Sequence, residues 1–130
     1  MDEEIHKCGL NFVSGVDPES LEITADEQLI EQVLINLIKN AMYALNNRQD
    51  GKIQMIAFMN KRGRITMQVI DNGPGILKDV IDKIFIPFFT TKTSGTGIGL
   101  SLSKQILRLH NATITAYSEP EVETVFTMTF

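Results

Sequence analysis

Between Thr24 and Asn47 the chain carries one wide apolar stripe, and it limits the possible folds more than any other stretch. Leu29, Val33, Leu37, Ala41 and Leu45 form one row at intervals of four, with Ile30, Leu34, Ile38 and Met42 beside it. Adjacent rows of this spacing share one side of an α-helix. The spacing predicts a long helix that opens after Thr24 or Ala25 and ends at Asn46, Asn47 and Gly51. Asp26 and Glu27, expected in its first turn, complement the helix dipole. So wide a face needs a broad apolar partner. Ile53 to Met59 and Arg64 to Ile70 read as two strands joined through Lys61-Arg62-Gly63. In the second, Ile65, Met67 and Val69 alternate with Thr66 and Gln68, the pattern of a sheet with one face against helices. That strand ends at Asp71.

The other elements follow from the same rules. Ile5 to Val13 reads as a strand, Gly15, Asp17 and Pro18 as a turn, and Leu21-Glu22-Ile23 as a short strand. Lys78 to Phe85 is expected to form a short helix. Thr90 to Gly95 has no apolar residue and is expected to be exposed and mobile. Ile98, Leu102, Ile106 and Leu109 define a second amphipathic helix, ended at His110-Asn111, and Thr113 to Ser118 and Thr124 to Phe130 are two last strands. This order predicts one α+β domain: a two-layer α/β sandwich whose mixed, mostly antiparallel sheet is covered on one face by helices.

Composition narrows the function classes. At 130 residues, 43% hydrophobic and 22% charged, the chain can bury a core without metals or disulfides. The net charge of −4 argues against a nucleic-acid surface. The single cysteine, Cys8, allows no internal disulfide, which fits a reducing cytosol. No apolar run is long enough to span a bilayer, no basic-then-apolar leader opens the sequence, and no Cys/His spacing suggests a metal site. His6 and His110 have no paired acid at a telling spacing and receive no catalytic role.

Three stretches carry candidate chemistry. Asn36 and Asn40 lie one turn apart on one face of the long helix, where an amide oxygen can ligate Mg²⁺; taken alone, solvated amides explain them as well. Asp71-Asn72-Gly73-Pro74-Gly75 closes a strand with a carboxylate that can accept from an exocyclic amine, beside glycines that let the backbone approach a flat ring. By itself it also reads as a common turn. Gly95-Thr96-Gly97-Ile98-Gly99 opens a helix with bare backbone N–H groups, a ready anion site. Its spacing matches neither the dinucleotide fingerprint nor the lysine-containing phosphate loop. Lys92, just before it, is placed either to swing onto a phosphate or to stay solvated. Phe85, Phe88 and Phe89 with Pro87 read as an anchor to the core, a stack on a base being the alternative.

Together these residues resemble a known family, the ATP-binding catalytic domains of two-component sensor histidine kinases. Gln32 to Ala41 resembles their asparagine box, Asp71 to Gly75 the first glycine box, Phe85 to Phe89 the phenylalanine box, and Gly95 to Leu100 the second glycine box. Each box alone is weak, but the four stand in the family's order across nearly the whole chain. The fold this implies is the Bergerat ATP-binding fold of the GHKL superfamily, shared with gyrase-type, Hsp90-type and MutL-type ATPases. The resemblance implies Asn40 as the Mg²⁺ ligand and Asn36 close to the phosphates. It implies Asp71 on the adenine amino group, Gly73 and Gly75 along the base, and Thr124 reaching adenine through water. Gly95, Gly97 and Gly99 would be hinge and phosphate contacts of a lid. Tyr43, Ala44, Ile76, Thr96, Ile98 and Leu100 complete the expected nucleotide-binding set, with Lys92 on a phosphate. Asn36, Asn40 and Lys92 are the expected catalytic residues.

The sequence departs from the family pattern at three places. Tyr43 stands where many members have lysine, His110-Asn111-Ala112 replaces His-Gly-Gly, and Glu121-Val122-Glu123-Thr124-Val125-Phe126 replaces Gly-x-Gly-Thr-x-Phe. Asn tolerates left-handed backbone, so Asn111 can replace the first glycine of the second motif. The function implied is Mg-ATP binding and transfer of the γ-phosphoryl to a histidine on a separate helical dimerisation domain, then signalling to a response regulator. Neither His6-Lys7 nor His110-Asn111 fits the family's phosphoacceptor, so residues 1–130 are expected to be the catalytic domain alone, monomeric and cytoplasmic. Direct contact with nucleic acid or membrane is not expected, and tethering to the inner membrane face would come through other parts of the protein. Two alternatives stay open: a conformational ATPase of the gyrase or Hsp90 type, and a nucleotide-binding or serine-kinase-like regulatory module.

Overall fold

A computed structural model describes residues 11–17, 25–46, 50–89 and 99–130. The expectations for residues 5–10 (His6 and Cys8 among them), Pro18, Leu21-Glu22-Ile23, Thr24, Asn47, and Thr90 to Ile98 with Lys92 lie outside the described residues. The elements are β1 (Asn11–Asp17), α1 (Glu27–Ala44), β2 (Lys52–Met59), β3 (Ile65–Asp71), α2 (Lys78–Ile81), α3 (Gly99–Leu109), β4 (Thr113–Glu119) and β5 (Glu123–Thr129). The five strands form one sheet in the order β1-β2-β3-β5-β4. β1 runs parallel to β2 and all other pairs are antiparallel. Parallel neighbours need a crossover, and α1 supplies it. The expected two-layer sandwich with a mixed sheet is therefore the observed fold.

The core lies between one sheet face and the helices. Val33 and Leu37 of α1, Leu107 of α3, Ile53 of β2, Val69 of β3, and Phe126 and Met128 of β5 are buried in it. Burying one such side chain contributes about 1.5–3 kcal/mol. In α1 the buried residues are Ile30, Val33, Leu37, Ile38 and Ala41, followed by Leu45 just beyond its end, whereas Leu29 is exposed. Asp26 is the N-cap rather than a first-turn residue: its side chain accepts from Leu29 N–H at 3.1 Å.

Four further expectations are corrected. Among the described residues the first strand covers 11–17, so Gly15 and Asp17 lie within it and not in a turn. Pairing along the edge of β2 sets this register, which the weak local alternation could not. The helix expected over Lys78 to Phe85 stops at Ile81 and gives way to turns. The buried stripe of α3 is Ser103, Ile106 and Leu107, while Leu102 and Leu109 are exposed. Phe85 does anchor its segment, edge-on to Phe126 at 6.4 Å with Lys104 Nζ 5.4 Å from its ring centre, but Phe88 is 77% exposed.

α3 ends in a left-handed cap. Asn111 N–H donates to Arg108 O at 3.1 Å and Ala112 N–H to Leu107 O at 2.8 Å, with Asn111 at φ +57°. This is the Schellman pattern, and asparagine fills its glycine position. His110 ties the same corner to α1, its Nδ1–H donating to Ile106 O and its Nε2 accepting from Asp26 N–H. Because a left-handed residue other than glycine carries strain, Asn111→Gly is expected to raise stability by about 0.5–1 kcal/mol, read as a higher melting temperature.

Candidate nucleotide site at the end of the sheet

Asp71 is the last residue of β3, and its neighbours in register are Ile53 on β2 and Thr124 on β5. A central strand so flanked buries its final side chain, and Asp71 is only 4% exposed. Its Oδ1 accepts the N–H of Gly73 at 2.9 Å, closing an Asx turn. Asn72 holds the start of the turn: its Oδ1 accepts from Lys52 N–H at 2.7 Å and its Nδ2 donates to Asp50 O at 2.9 Å.

Gly73 is required by proximity. A Cβ there would lie 2.8 Å from Asp71 Oδ1 and 3.3 Å from the Cβ of Ala44, in the last turn of α1. The turn is thus pressed against one end of α1. Gly99 marks the other contact: its Cβ position is 4.0 Å from Asn36 Cγ. Asn36 Nδ2 donates to Gly99 O at 3.4 Å and to Ser103 Oγ at 3.3 Å, and Asn36 Oδ1 accepts from Gln32 Nε2 at 3.2 Å. Asn36, Asn40 and Ala44 are successive members of one i, i+4 row. At about 1.5 Å per residue the row covers about 12 Å, with the carboxylate turn at one end, Gly99 at the other and Asn40 between.

The far side of the turn rests on the β4–β5 hairpin. Gly75, at φ +83°, has Ser118 Oγ 2.8 Å and Pro120 Cα 2.9 Å from its Cβ position. Ile76 N–H donates to Ser118 Oγ at 2.7 Å, and Glu121 N–H donates to Pro74 O at 2.8 Å. Glu121 stands at φ +66°. The hairpin therefore closes with glutamate where the resembled family has glycine, using the left-handed backbone a glycine would favour.

The structure brings together Asp71, Gly73, Gly75, Ile76, Ala44 and Thr124 at one end of the α1 row, and Asn36 with Gly99 at the other. Tyr43 is exposed beside the row, and Leu100 packs against the core. Sequence reasoning passed over Ser103, which is 0% exposed, and Ser118. Ser103 lies in the i, i+3, i+4 stripe with Ile106 and Leu107, and Ser118 lies on the inward alternation Ile114, Ala116, Ser118; these positions were the available signals. Among the described residues no three His, Cys, Asp or Glu side chains gather as a metal site, and no helix is long and apolar enough to cross a membrane.

The model of the histidine kinase-, DNA gyrase B- and HSP90-like ATPase family matches residues 25–130, the part of the chain that holds the strand-end carboxylate, the glycine turn and the two asparagines of the long helix. The chain belongs to this family and, within it, is an ATP-binding catalytic domain of the sensor histidine kinase type. It is 40% identical over 119 residues to the signal transduction histidine-protein kinase AtoS of Escherichia coli K12, covering 92% of this chain and 19% of AtoS. The nucleotide-free catalytic domain of histidine kinase ThkA superposes with a TM-score of 0.86 at 35% identity, covering 99% of this chain and 83% of that one. Full-length ShkA in complex with AMPPNP superposes with a TM-score of 0.85 at 26% identity, over 99% of this chain and 27% of ShkA. ThkA has also been solved in complex with the response regulator protein TrrA, matching with a TM-score of 0.81 at 32% identity over 99% of this chain and 36% of that one. The chain spans 19% of the length of its curated relative AtoS and 16% of that of DctB, the latter from Rhizobium meliloti.

Proposed function

We propose that the chain binds Mg-ATP along the Asn36–Asn40–Ala44 row of α1 and, as the catalytic part of a longer sensor kinase, transfers the γ-phosphoryl to a histidine on a separate helical dimerisation domain. The observation that carries this reading is the span between two fixed points: the buried Asp71 turn against Ala44, and Gly99 against Asn36. A carboxylate pre-set by the Gly73 N–H can take the exocyclic amine of adenine at one end. Phosphates then fall toward Asn40 and the start of α3. The Asn40 amide oxygen would hold Mg²⁺, which spreads the charge of the transferring group; phosphate oxygens and water would complete its shell. Lys92 and Gly95, Thr96, Gly97 and Ile98 belong to the same reading as phosphate contacts. ShkA's complex with AMPPNP and ThkA's complex with TrrA support ATP as substrate and a response regulator as downstream partner. The domain would work on the cytoplasmic side.

A conformational ATPase is the weaker reading. Gyrase-type relatives resembled above carry a glutamate one turn before the metal asparagine, as base for water. That position is Asn36, whose amide cannot take up a proton and already donates to Gly99 O and Ser103 Oγ. The test mixes the chain with radiolabelled ATP and helical histidine-bearing domains. Acid-labile label on such a domain is the expected result. No heat on titrating Mg-ADP would overturn nucleotide binding, and binding without transfer to any such domain would overturn the kinase step.

A further inference from the structure

We propose that Ser118 is the positioning residue that sets the base preference of the site, acting through the proton of Thr124; the inference rests on the nucleotide reading above. Ser118 on β4 pairs with Thr124 on β5, and Thr124 pairs with Asp71 on β3, so the three lie in one row across the sheet. Asp71 and Thr124 are both 4% exposed. The Ser118 hydroxyl has three partners: it accepts Ile76 N–H at 2.7 Å, donates to Glu123 O at 3.2 Å, and lies 3.1 Å from Thr124 Oγ1.

A hydroxyl has one proton and two lone pairs. The Ile76 N–H fills one lone pair and the proton goes to Glu123 O. What remains for Thr124 is the second lone pair, so Thr124 donates to Ser118. The Thr124 proton is then turned away from Asp71, and its lone pairs are left for whatever lies beside the carboxylate. Asp71 can accept from an amine at position 6 of a purine and opposes a carbonyl there; a water that donates one proton to Thr124 would have its other proton for N1, which accepts in adenine and carries a proton in hypoxanthine. A lone threonine hydroxyl can rotate to suit either group; Ser118 removes that freedom. The same hydroxyl fixes the turn, because Ile76 follows Gly75, whose missing Cβ leaves room for Ser118 Oγ. Ser118 itself need not touch the nucleotide.

Mg-ADP and Mg-IDP differ at position 6 of the purine, amine against carbonyl, and at N1, which carries a proton only in IDP, so their affinity ratio reads the proposal. Titrating the wild-type chain, Ser118→Ala and Ser118→Thr with both, alongside a thermal melt of each, is the test. Ser118→Ala is expected to reduce the ADP-over-IDP ratio by about tenfold or more, and Ser118→Thr to restore most of it. A purely structural role would lower the melting temperature and weaken both nucleotides in parallel; an unchanged ratio therefore overturns the proposal. Where Ser118→Ala does not fold, Ser118→Cys, with its weaker hydrogen bonding, is read for the same fall in ratio. Failure of the wild-type chain to bind Mg-ADP would instead remove the nucleotide reading beneath it, and the two failures are separated by that first titration.

Discussion

Replacing Asp71 with asparagine is expected to weaken Mg-ADP binding by about tenfold to a hundredfold while the domain stays folded. The side chain keeps an oxygen for the Gly73 N–H, which it accepts at 2.9 Å, so the Asx turn survives. It loses the negative charge and presents an amide donor where an acceptor stood. A hydrogen bond to a charged group contributes about 1.5–3 kcal/mol, and each 1.4 kcal/mol is tenfold in affinity. Asp71→Ala separates the two tasks of the carboxylate. It also orphans the Gly73 N–H, and Gly73 is itself buried, so a further cost of about 1–3 kcal/mol falls on stability. Calorimetric titration and a thermal melt on both variants check this. Both should lose affinity, and only the alanine variant should melt well below wild type. Wild-type affinity in Asp71→Asn would show that the carboxylate does not recognise the base.

Why some of this could be read from residues alone, and some not, follows from the range of the forces involved. The α1 stripe was legible because each row is local, and burial of Val33, Leu37 and Ala41 follows from spacing alone. Asn111 in the left-handed region was legible because the cap is set within a few residues. The turn expected at Gly15 and Asp17 was misplaced because the strand there is held by the edge of β2, many residues away, against weak local alternation. Phe88 looked like an anchor by composition, but φ +67° turns its backbone and leaves the ring exposed while Phe85 takes the inward place. The two ends of the proposed site, Asp71 with Gly73 and Asn36 with Gly99, were named from motifs. Their separation along α1 and the role of the β4–β5 hairpin as a seat appear only when the chain is folded. Ser118 and Ser103 are small polar residues whose meaning is a cross-strand or cross-helix partner, and no spacing rule within one element reveals that.

Gly75→Ala is expected to cost about 2–5 kcal/mol and to lower the melting temperature by roughly 7 °C or more. Two terms add. At φ +83° a side chain costs about 1–2 kcal/mol for the backbone alone. The new Cβ would also stand 2.8 Å from Ser118 Oγ, 2.9 Å from Pro120 Cα and 3.2 Å from Glu119 O. The last two are backbone atoms and cannot step aside singly. Ser118 could swing away only by releasing the Ile76 N–H. Relieving such overpacking costs about 1–3 kcal/mol, and for a domain of this size each kcal/mol moves the melting temperature by about 3–5 °C. Gly63 provides the control. It stands at φ +77° in the β2–β3 turn, but its Cβ position has nothing within 4 Å. Gly63→Ala should therefore pay the dihedral term only, about 1–2 kcal/mol. The difference between the two variants isolates the collision with the hairpin. Equal losses would mean that the Asp71–Gly75 turn is not held by its seat on β4 and β5, and that the carboxylate is oriented by the Gly73 N–H and the end of α1 alone.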